Sequence, residues 1–414
     1  MRIQLFNPPV HHYSGVHYKM NPPLGLPILA AVLERAGHKA EVWDLEALKI
    51  PPARLAQSFE EQKDRWPDAI GLTTTTHNAR GARECIATLR EVGFDRYVAL
   101  GGPHVTLDPT VEWGQDVVVT GECEGNIVSV FEKRMRGVVK GERAPLGSIP
   151  GPLWAKHKPH PTAYYGNAPR LNFPEGIAMW SRGCPHRCIF CGNPVFQQQA
   201  IRFRPPERIY EDMAAVKALG AHSVFVYDDE LVGAGKRQNP WLIETCARVA
   251  PLGLTWKCQG RCSHRLSEDV LRAMAAAGCR VIMWGVESFS DKVLTHIRKG
   301  TTERDIWHTL RLAKKVGIAN WLFLMVGNYQ ETQRDLAYTE QRLSKAVQQG
   351  LVQYRQVTVC TPVHGTELYE NAKHEGWLVE SPEGGPQMNQ VYAGTPWISK
   401  RELRYWKMRL EVAK

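Results

Sequence analysis

Strand and helix signals alternate along this chain in two long runs, and that alternation limits its fold more than any other feature. In residues 1–135 the strand-like segments are Arg2–Phe6, Lys39–Leu45, Ala69–Thr74, Tyr97–Leu100 and Asp116–Thr120. Helical patterns separate them: Leu26–Ala36 stopped by Gly37, Ala53–Lys63, Arg80–Val92 stopped by Gly93, and a helix from Asn126. Consecutive βα units need right-handed crossovers, so their strands lie parallel. Five such units predict an open doubly wound domain of flavodoxin-like or Rossmann type, with ligands beyond the carboxyl ends of the strands.

Residues 136–172 change character. Pro145, Pro150, Pro152, Pro159, Pro161 and Pro169 interrupt any periodicity, which predicts a linker. The alternation resumes over residues 173–375, with strands at Ile177–Ser181, Ser223–Tyr227, Leu254–Gln259, Arg280–Trp284, Ala319–Val326 and Gln353–Val359. Six βα units predict a partial (β/α)6 barrel whose working face lies at the carboxyl ends of its strands. Residues 376–414 read as a Gly/Pro-rich stretch followed by a basic helix, Lys400–Val412.

The 414 residues carry 52 Lys and Arg against 42 Asp and Glu, a net charge of +10. The basic residues are spread without a long run, so a solvated basic surface is the ordinary reading and nucleic acid a minor one. No apolar stretch approaches the ~18–20 residues of a membrane span. The opening MRIQLFNPP lacks the apolar core of a secretion signal, and the expected location is cytoplasmic. Ten cysteines in such a chain do not suggest a disulfide framework.

Three of those cysteines are bunched. Cys184-Pro-His-Arg-Cys188-Ile-Phe-Cys191 is a C-x3-C-x2-C loop placed just after the first barrel strand. Three thiolates leave one iron of a four-iron cluster without a protein ligand, open to a small chelating molecule. Zinc is the rival, but a structural zinc site takes four ligands and His186 has the wrong spacing for the fourth. Charged residues stand at other strand ends: Asp228 and Asp229 at the second, Arg261 at the third, Glu287 at the fourth. Each alone reads equally well as a helix cap or a surface charge.

The segment Trp180–Pro194, WSRGCPHRCIFCGNP, resembles the radical S-adenosylmethionine superfamily, including Phe190 before the last cysteine. The run Met274–Gly300 resembles that family's middle segment. The resemblance implies a [4Fe–4S] cluster on Cys184, Cys188 and Cys191, the catalytic and metal-binding set, with S-adenosylmethionine on the open iron. It implies that Glu287 meets the ribose or amino end of S-adenosylmethionine, with Phe190, Arg261, Asp228 and Asp229 as further cofactor contacts. One departure stands out: relatives often carry Gly-x-Pro-x-Glu-Thr after the fifth strand, where this chain reads Gly327-Asn-Tyr329-Gln-Glu331-Thr332.

Residues 1–135 resemble the cobalamin-binding domain that precedes the barrel in one branch of the superfamily. The matching pieces are Asn7-Pro8-Pro9, Pro22–Leu26, Gly71–Thr76, Gly101-Gly102-Pro103-His104 and Gly121-Glu122-Cys-Glu124. By this resemblance Thr73, Thr74 and Thr75 line a pocket for the nucleotide base, and Gly101, Gly102, Pro103, His104, Gly121 and Glu122 face the corrin. The Asp-x-His-x-x-Gly segment that ligates cobalt in mutases is missing. Cobalamin is therefore expected without a histidine from that motif; His11, His12, His17 and His104 are the histidines within reach of the domain's loops.

Together these resemblances imply radical C-methylation of a small molecule, fed by an external flavodoxin- or ferredoxin-like electron donor. Cyclisation, oxidation or rearrangement with the same cofactors, with or without bound cobalamin, is the alternative. A basic iron–sulfur protein that binds nucleic acid is the alternative of another class. Tyr329, Trp284, Trp321 and the Trp397–Trp406 tail are candidate site aromatics, although such spacings usually mark core.

Overall fold

A computed structural model describes residues 1–10, 21–164, 170–196, 201–233, 235, 238–379 and 391–414. His11, His12 and His17 lie outside the described residues. The chain divides into two compact units: residues 1–167 with 174–177 and 218–221, and residues 168–173, 178–217 and 222–414.

The first unit is built on seven strands: β1 (Arg2–Asn7), β2 (Lys39–Asp44), β3 (Ala69–Thr73), β4 (Tyr97–Gly101), β5 (Val117–Thr120), β6 (Gly137–Lys140) and β7 (His157–Lys158). They pair in the order β6-β5-β4-β3-β1-β2-β7, parallel throughout. The helices are α1 (Gly25–Arg35), α2 (Pro52–Glu61), α3 (Ala79–Glu91), α4 (Pro103–Leu107) and α5 (Ile127–Glu132). Alternate strand residues feed two separate cores. Ile3, Leu5, Val42, Ala99 and Val119 pack under Leu26, Ala30 and Leu33 of α1 and Phe131 of α5. Phe6, Ile70, Leu72, Val98 and Leu100 pack under Leu55 and Phe59 of α2 and Ile86 and Leu89 of α3. Strands buried on both faces are near-continuous apolar runs, as their sequences are. The strand order reverses between β1 and β3, the switch point where open α/β sheets bind ligands.

Residues 136–172, expected as a linker, instead supply both edge strands of this sheet, β6 beside β5 and β7 beside β2. The prolines hid them. They fall between or beside two very short strands, and an edge strand tolerates a neighbouring residue that cannot donate. The same segment brings Tyr164 to Asp44, whose Oδ2 accepts the phenol at 2.7 Å while its Oδ1 takes Asn7 Nδ2 at 2.9 Å.

The remaining strands are β8 (Glu175–Ala178), of which 175–177 group with the first unit, and, in the second unit, β9 (Ser181–Arg182), β10 (Arg202–Phe203), β11 (Ser223–Val226), β12 (Thr255–Gly260), β13 (Cys279–Glu287), β14 (Ala319–Val326) and β15 (Tyr354–Val359). Six of them form one sheet in the order β15-β14-β13-β12-β11-β8, while β9 and β10 make a separate antiparallel ribbon. Its helices are α6 (Asn193–Phe196), α7 (Pro206–Ala218), α8 (Gln238–Val249), α9 (Glu268–Ala276), α10 (Asp291–His296), α11 (Glu303–Lys315), α12 (Gln333–Gln348), α13 (Glu367–His374) and α14 (Lys400–Val412). Capping boxes start α11 (Thr302 with Asp305), α12 (Thr332 with Asp335) and α14 (Ser399 with Glu402). Strands in sequence order with helices between them are the partial barrel that the alternation predicts. The terminal helix α14 packs on β14, β15 and α12.

Asp44 is fully buried, and Tyr164 is the sole hydrogen-bond partner of its Oδ2 among the described residues. Tyr164→Phe strips that carboxylate oxygen of its donor and is expected to cost about 1–3 kcal/mol, read as a lower denaturant midpoint at unchanged slope.

Candidate functional site

The cysteine loop is gripped from the second barrel strand. Asp228 follows β11 and is 2% exposed. Its carboxylate accepts Trp180 N at 2.9 Å, Ser181 N at 2.6 Å and Ser181 Oγ at 2.7 Å. Burial pushes its pKa up to about 7 despite those three donors. Asp229 takes Gly183 N at 3.1 Å and Asn193 Nδ2 at 3.0 Å, one residue before Cys184 and two after Cys191. The two aspartates thus hold the cysteine loop. Within the loop, Cys191 N donates to Cys188 O at 3.1 Å.

Donors reach all three sulfurs: Arg261 Nη2 lies 3.5 Å from Cys188 Sγ, Asn193 N 3.5 Å from Cys191 Sγ, and the His186 backbone N–H is directed at Cys184. N–H groups aimed at sulfur stabilise thiolate ligands and tune the metal they hold. Burial pushes the free Cys191 thiol up to about 11 and Cys184 well above its ordinary value. A bound metal centre reverses that preference by taking the thiolate directly. All ten cysteines are free.

Sequence reasoning missed Glu230, the third consecutive acid after β11. It is 3% exposed. Its Oε2 lies 3.2 Å from Cys184 Sγ and 3.4 Å from Arg261 Nε, and its Oε1 3.3 Å from His186 Nε2. Burial opposes its charge, but His186 and Arg261 outweigh burial and hold the carboxyl below its usual range. Cys184, His186 and Glu230 present donor atoms all within 4.8 Å of one another, so His186 does join the cysteine loop's polar cluster.

Glu287 ends β13, 7% exposed, at a left-handed φ of +63° and at a register shift against β14. The extra residue turns its carboxylate toward Lys299, which donates to Oε1 at 2.7 Å. Lys299, also missed, is buried; burial opposes its charge, Glu287 more than restores it, and its ammonium sits above its ordinary range. Its Nζ lies 6.0 Å from the Phe190 ring, and its carbonyl accepts Arg261 Nη1. Gly285 leaves the room: a Cβ there would stand 2.8 Å from Lys299 Nζ and 2.9 Å from Glu287 Oε1. The structure therefore brings Phe190, Arg261 and Glu287 to the cysteines, joined by Glu230 and Lys299. Two cations, two carboxylates and three thiols are the donor set that a cluster with a chelated amino acid needs.

Strand register sets what lines the same face beside them. Gln259, Met283, Trp321 and Tyr354 form one row across β12–β15, and Gly285, Phe323 and Gln356 the next. Trp284 points the other way, fully buried with Nε1 on Asn320 Oδ1 at 2.7 Å, and is core. Tyr329 turns to Trp397 (ring centroids 5.2 Å apart) and hydrogen-bonds Glu375. Glu331 sits beneath that turn, fully buried, its Oε2 accepting Gly327 N at 2.8 Å and Asn328 N at 3.1 Å.

In the first unit the expected residues gather at the carboxyl ends of β3, β4 and β5. Thr74 is fully buried, and its N and Oγ1 both donate to Gly101 O, so it locks β3 to β4 rather than lining a pocket. Thr75 binds Asn78 Oδ1 through its N and hydroxyl. Gly102, at φ +105°, could not carry a Cβ, which would stand 2.5 Å from Thr74 O beside Thr73 Oγ1. Thr106 Oγ1 ties the two loops, donating to Gly102 O and accepting Gly121 N at 2.8 Å. His104 stacks on Trp113, centroids 5.8 Å apart, and Glu122 pairs with Arg143 at 3.5 Å. Pro103, Thr75 and Gly121 stay exposed, a shelf of small groups at the switch-point end of the sheet that suits a flat ligand.

Burial pushes Glu331 up to about 7, so the fold favours its protonated form. That contribution is present below the ordinary carboxyl pKa and is lost as pH rises through about 7. Glu331→Gln removes it. From about pH 5 to about pH 8 the variant's unfolding free energy should gain about 3 kcal/mol on the wild type's, measured by urea denaturation across pH.

The family described as the Radical SAM superfamily matches residues 179–343, and the B12 binding domain matches residues 16–130. The chain is 28% identical over 394 residues to an uncharacterized methyltransferase of Pyrococcus horikoshii, covering 90% of this chain and 83% of that protein. Among solved structures, the radical S-adenosylmethionine methyltransferase TsrM of Kitasatospora setae, with tryptophan substrate and a SAM analog bound, has a TM-score of 0.68. It is 19% identical and covers 90% of this chain and 76% of TsrM. The cobalamin-dependent S-adenosylmethionine radical enzyme OxsB, with aqua-cobalamin and S-adenosylmethionine bound, has a TM-score of 0.73 at 15% identity. That match covers 98% of this chain and 65% of OxsB, so the chain spans less than two thirds of OxsB's length. No helix of the described residues is long and apolar enough to cross a membrane. The chain is thus an enzyme that carries a B12-binding domain ahead of a radical SAM domain, and its cofactors are a [4Fe–4S] cluster, S-adenosylmethionine and cobalamin.

Proposed function

We propose that this enzyme transfers a methyl group to an unactivated carbon of a small molecule in the cytoplasm, with Cys184, Cys188 and Cys191 as cluster ligands. When bound, the cluster supplies the electron that splits S-adenosylmethionine to a 5′-deoxyadenosyl radical, and the corrin supplies the methyl group. The observation that carries this reading is the buried constellation at the carboxyl end of the barrel sheet, on a chain that also holds a B12-binding domain.

The chain's own contribution is positioning and charge. Asp228 and Asp229 fix the ends of the cysteine loop, so the three sulfurs are presented together. Arg261 and Lys299 are the cations available to the carboxylate of a methionyl group. Glu287 is the carboxylate available to its amine or to ribose hydroxyls. Both cations and Glu287 are at least nine-tenths buried, which strengthens each contact by excluding water. Thr74, Gly102 and Gly121 shape the corrin shelf in the first unit. The aromatic and thioether row Met283, Trp321 and Tyr354 supports a small, partly apolar substrate.

The test uses S-adenosylmethionine with a deuterated methyl group, a strong reductant, added cobalamin and candidate substrates from the surrounding metabolism. Both S-adenosylhomocysteine and 5′-deoxyadenosine should accumulate, and the labelled methyl should appear in product. Alanine at any one of the three cysteines should lower 5′-deoxyadenosine formation at least about 100-fold while cobalamin binding persists. Production of 5′-deoxyadenosine with an unlabelled product would replace methylation by cyclisation or oxidation.

A further inference from the structure

Outside the site, one feature of the second unit combines concavity with a strong local charge. A groove of about 590 Å³ runs along the outer face of α11, between α9 and α12. Five cations line it, Arg304, Arg311, Lys315, Arg342 and Lys345, against the single carboxylate of Glu268. Glu268 is already engaged by Lys315 at 2.6 Å and by Arg272. Arg342 is held by Glu303. Arg304, Arg311 and Lys345 form no ion pair among the described residues. Trp307 forms the floor, with the Arg311 and Arg342 guanidiniums 5.3 and 5.1 Å from its ring. Stacking on an indole restricts those side chains without neutralising them.

The chain segment that leads into the groove is tied to the cysteine loop. Ile189, between Cys188 and Cys191, donates its N to Ile297 O at 3.2 Å. Two residues on, Lys299 accepts Arg261, and five residues beyond Lys299 stands Arg304, in the first turn of α11. From Arg304 to Lys315 the helix rises about 16 Å. One end of the positive stripe is therefore tied to the segment that packs on the cysteines, and the other lies along the flank of the unit.

We propose that this groove docks the acidic face of the one-electron carrier protein that reduces the cluster. The inference rests on the reading of Cys184, Cys188 and Cys191 as cluster ligands. That reading demands an outside electron: the carrier's reduced cofactor loses one, the cluster gains one, and cleavage of the sulfonium–carbon bond consumes it. A carrier must approach the cluster closely, release quickly and orient correctly, which is the work electrostatic complementarity does best. A polar, exposed, cationic groove suits such a transient acidic protein partner; a buried apolar pocket suits a tight small ligand.

The test separates docking from chemistry by the reductant. Full-length enzyme with Arg304→Glu, Arg311→Glu and Lys345→Glu together is compared with wild type, driven either by dithionite or by reduced flavodoxin with its reductase. 5′-Deoxyadenosine formation with dithionite should be unchanged. With flavodoxin it should fall at least about tenfold at sub-saturating carrier, and its steep dependence on salt should flatten. The milder variant with glutamine at the three positions should fall between, and calorimetry should show weakened flavodoxin binding in the same order. Equal flavodoxin-driven rates in variant and wild type overturn the docking site. So does a variant that loses affinity for tripolyphosphate yet keeps full flavodoxin-driven activity, since the groove is then a small-anion site. Wild type that cleaves nothing with either reductant overturns the cluster reading itself.

Discussion

Everything at the barrel's working end depends on three consecutive acids, Asp228, Asp229 and Glu230, at the carboxyl end of β11. A cysteine loop is a weak structural element. It has few apolar side chains and closes no regular hydrogen-bond ladder. Here it is held by carboxylates from the neighbouring strand: Asp228 at Trp180 and Ser181, Asp229 at Gly183 and Asn193, Glu230 at Cys184. Backbone N–H groups that a loop leaves orphaned become the donors that fix it. The three acids follow β11 rather than lie in it, and each reaches a different part of the loop.

That anchoring creates an electrostatic problem which Arg261 and Lys299 solve. Glu230 and Glu287 are almost fully buried carboxylates at the same end of the sheet as the three cysteines. Arg261 spans the set, reaching Glu230, Cys188 and the carbonyl of Lys299. Lys299 in turn satisfies Glu287. A buried charge is tolerable when paired and hydrogen-bonded, and removing one member strands the others. The arrangement also explains the unusual backbone of Glu287. A non-glycine residue at φ +63° stores strain, and the ion pair with Lys299 is what offsets it.

Much of this architecture was legible in the sequence. Apolar periodicity and glycine stops located eleven of the strands. Glu287 was legible because it ends a long apolar strand. Other parts were hidden for physical reasons. Strands β6 and β7 were invisible because short edge strands need little apolar pattern and prolines crowded them. The grip of Asp228 and Asp229 on the cysteine loop was hidden because a sequence shows that an acid stands at a strand end, not which way it faces. Nothing in the sequence sets Glu230 apart from other acids, or Lys299 from other cations in a chain of net charge +10. Their burial comes from the fold of segments far apart in sequence. Thr74 illustrates the converse: a hydroxyl expected to line a pocket is used up in joining two strands.

The turn after β14 shows how the same logic extends toward the substrate. Where relatives often place a proline, this chain has Tyr329, and the turn's shape is kept by Glu331, which draws Gly327 N and Asn328 N onto one carboxylate oxygen. With the backbone fixed from beneath, position 329 is relieved of a conformational role. Its side chain leaves the barrel to join Trp397, Trp377 and Glu375. The carboxyl-terminal segment is thereby recruited to the rim of the barrel, and Leu403 of α14 closes over Gly327. Tyr329 is thus an attachment point, and this rim is shaped by the chain's own tail.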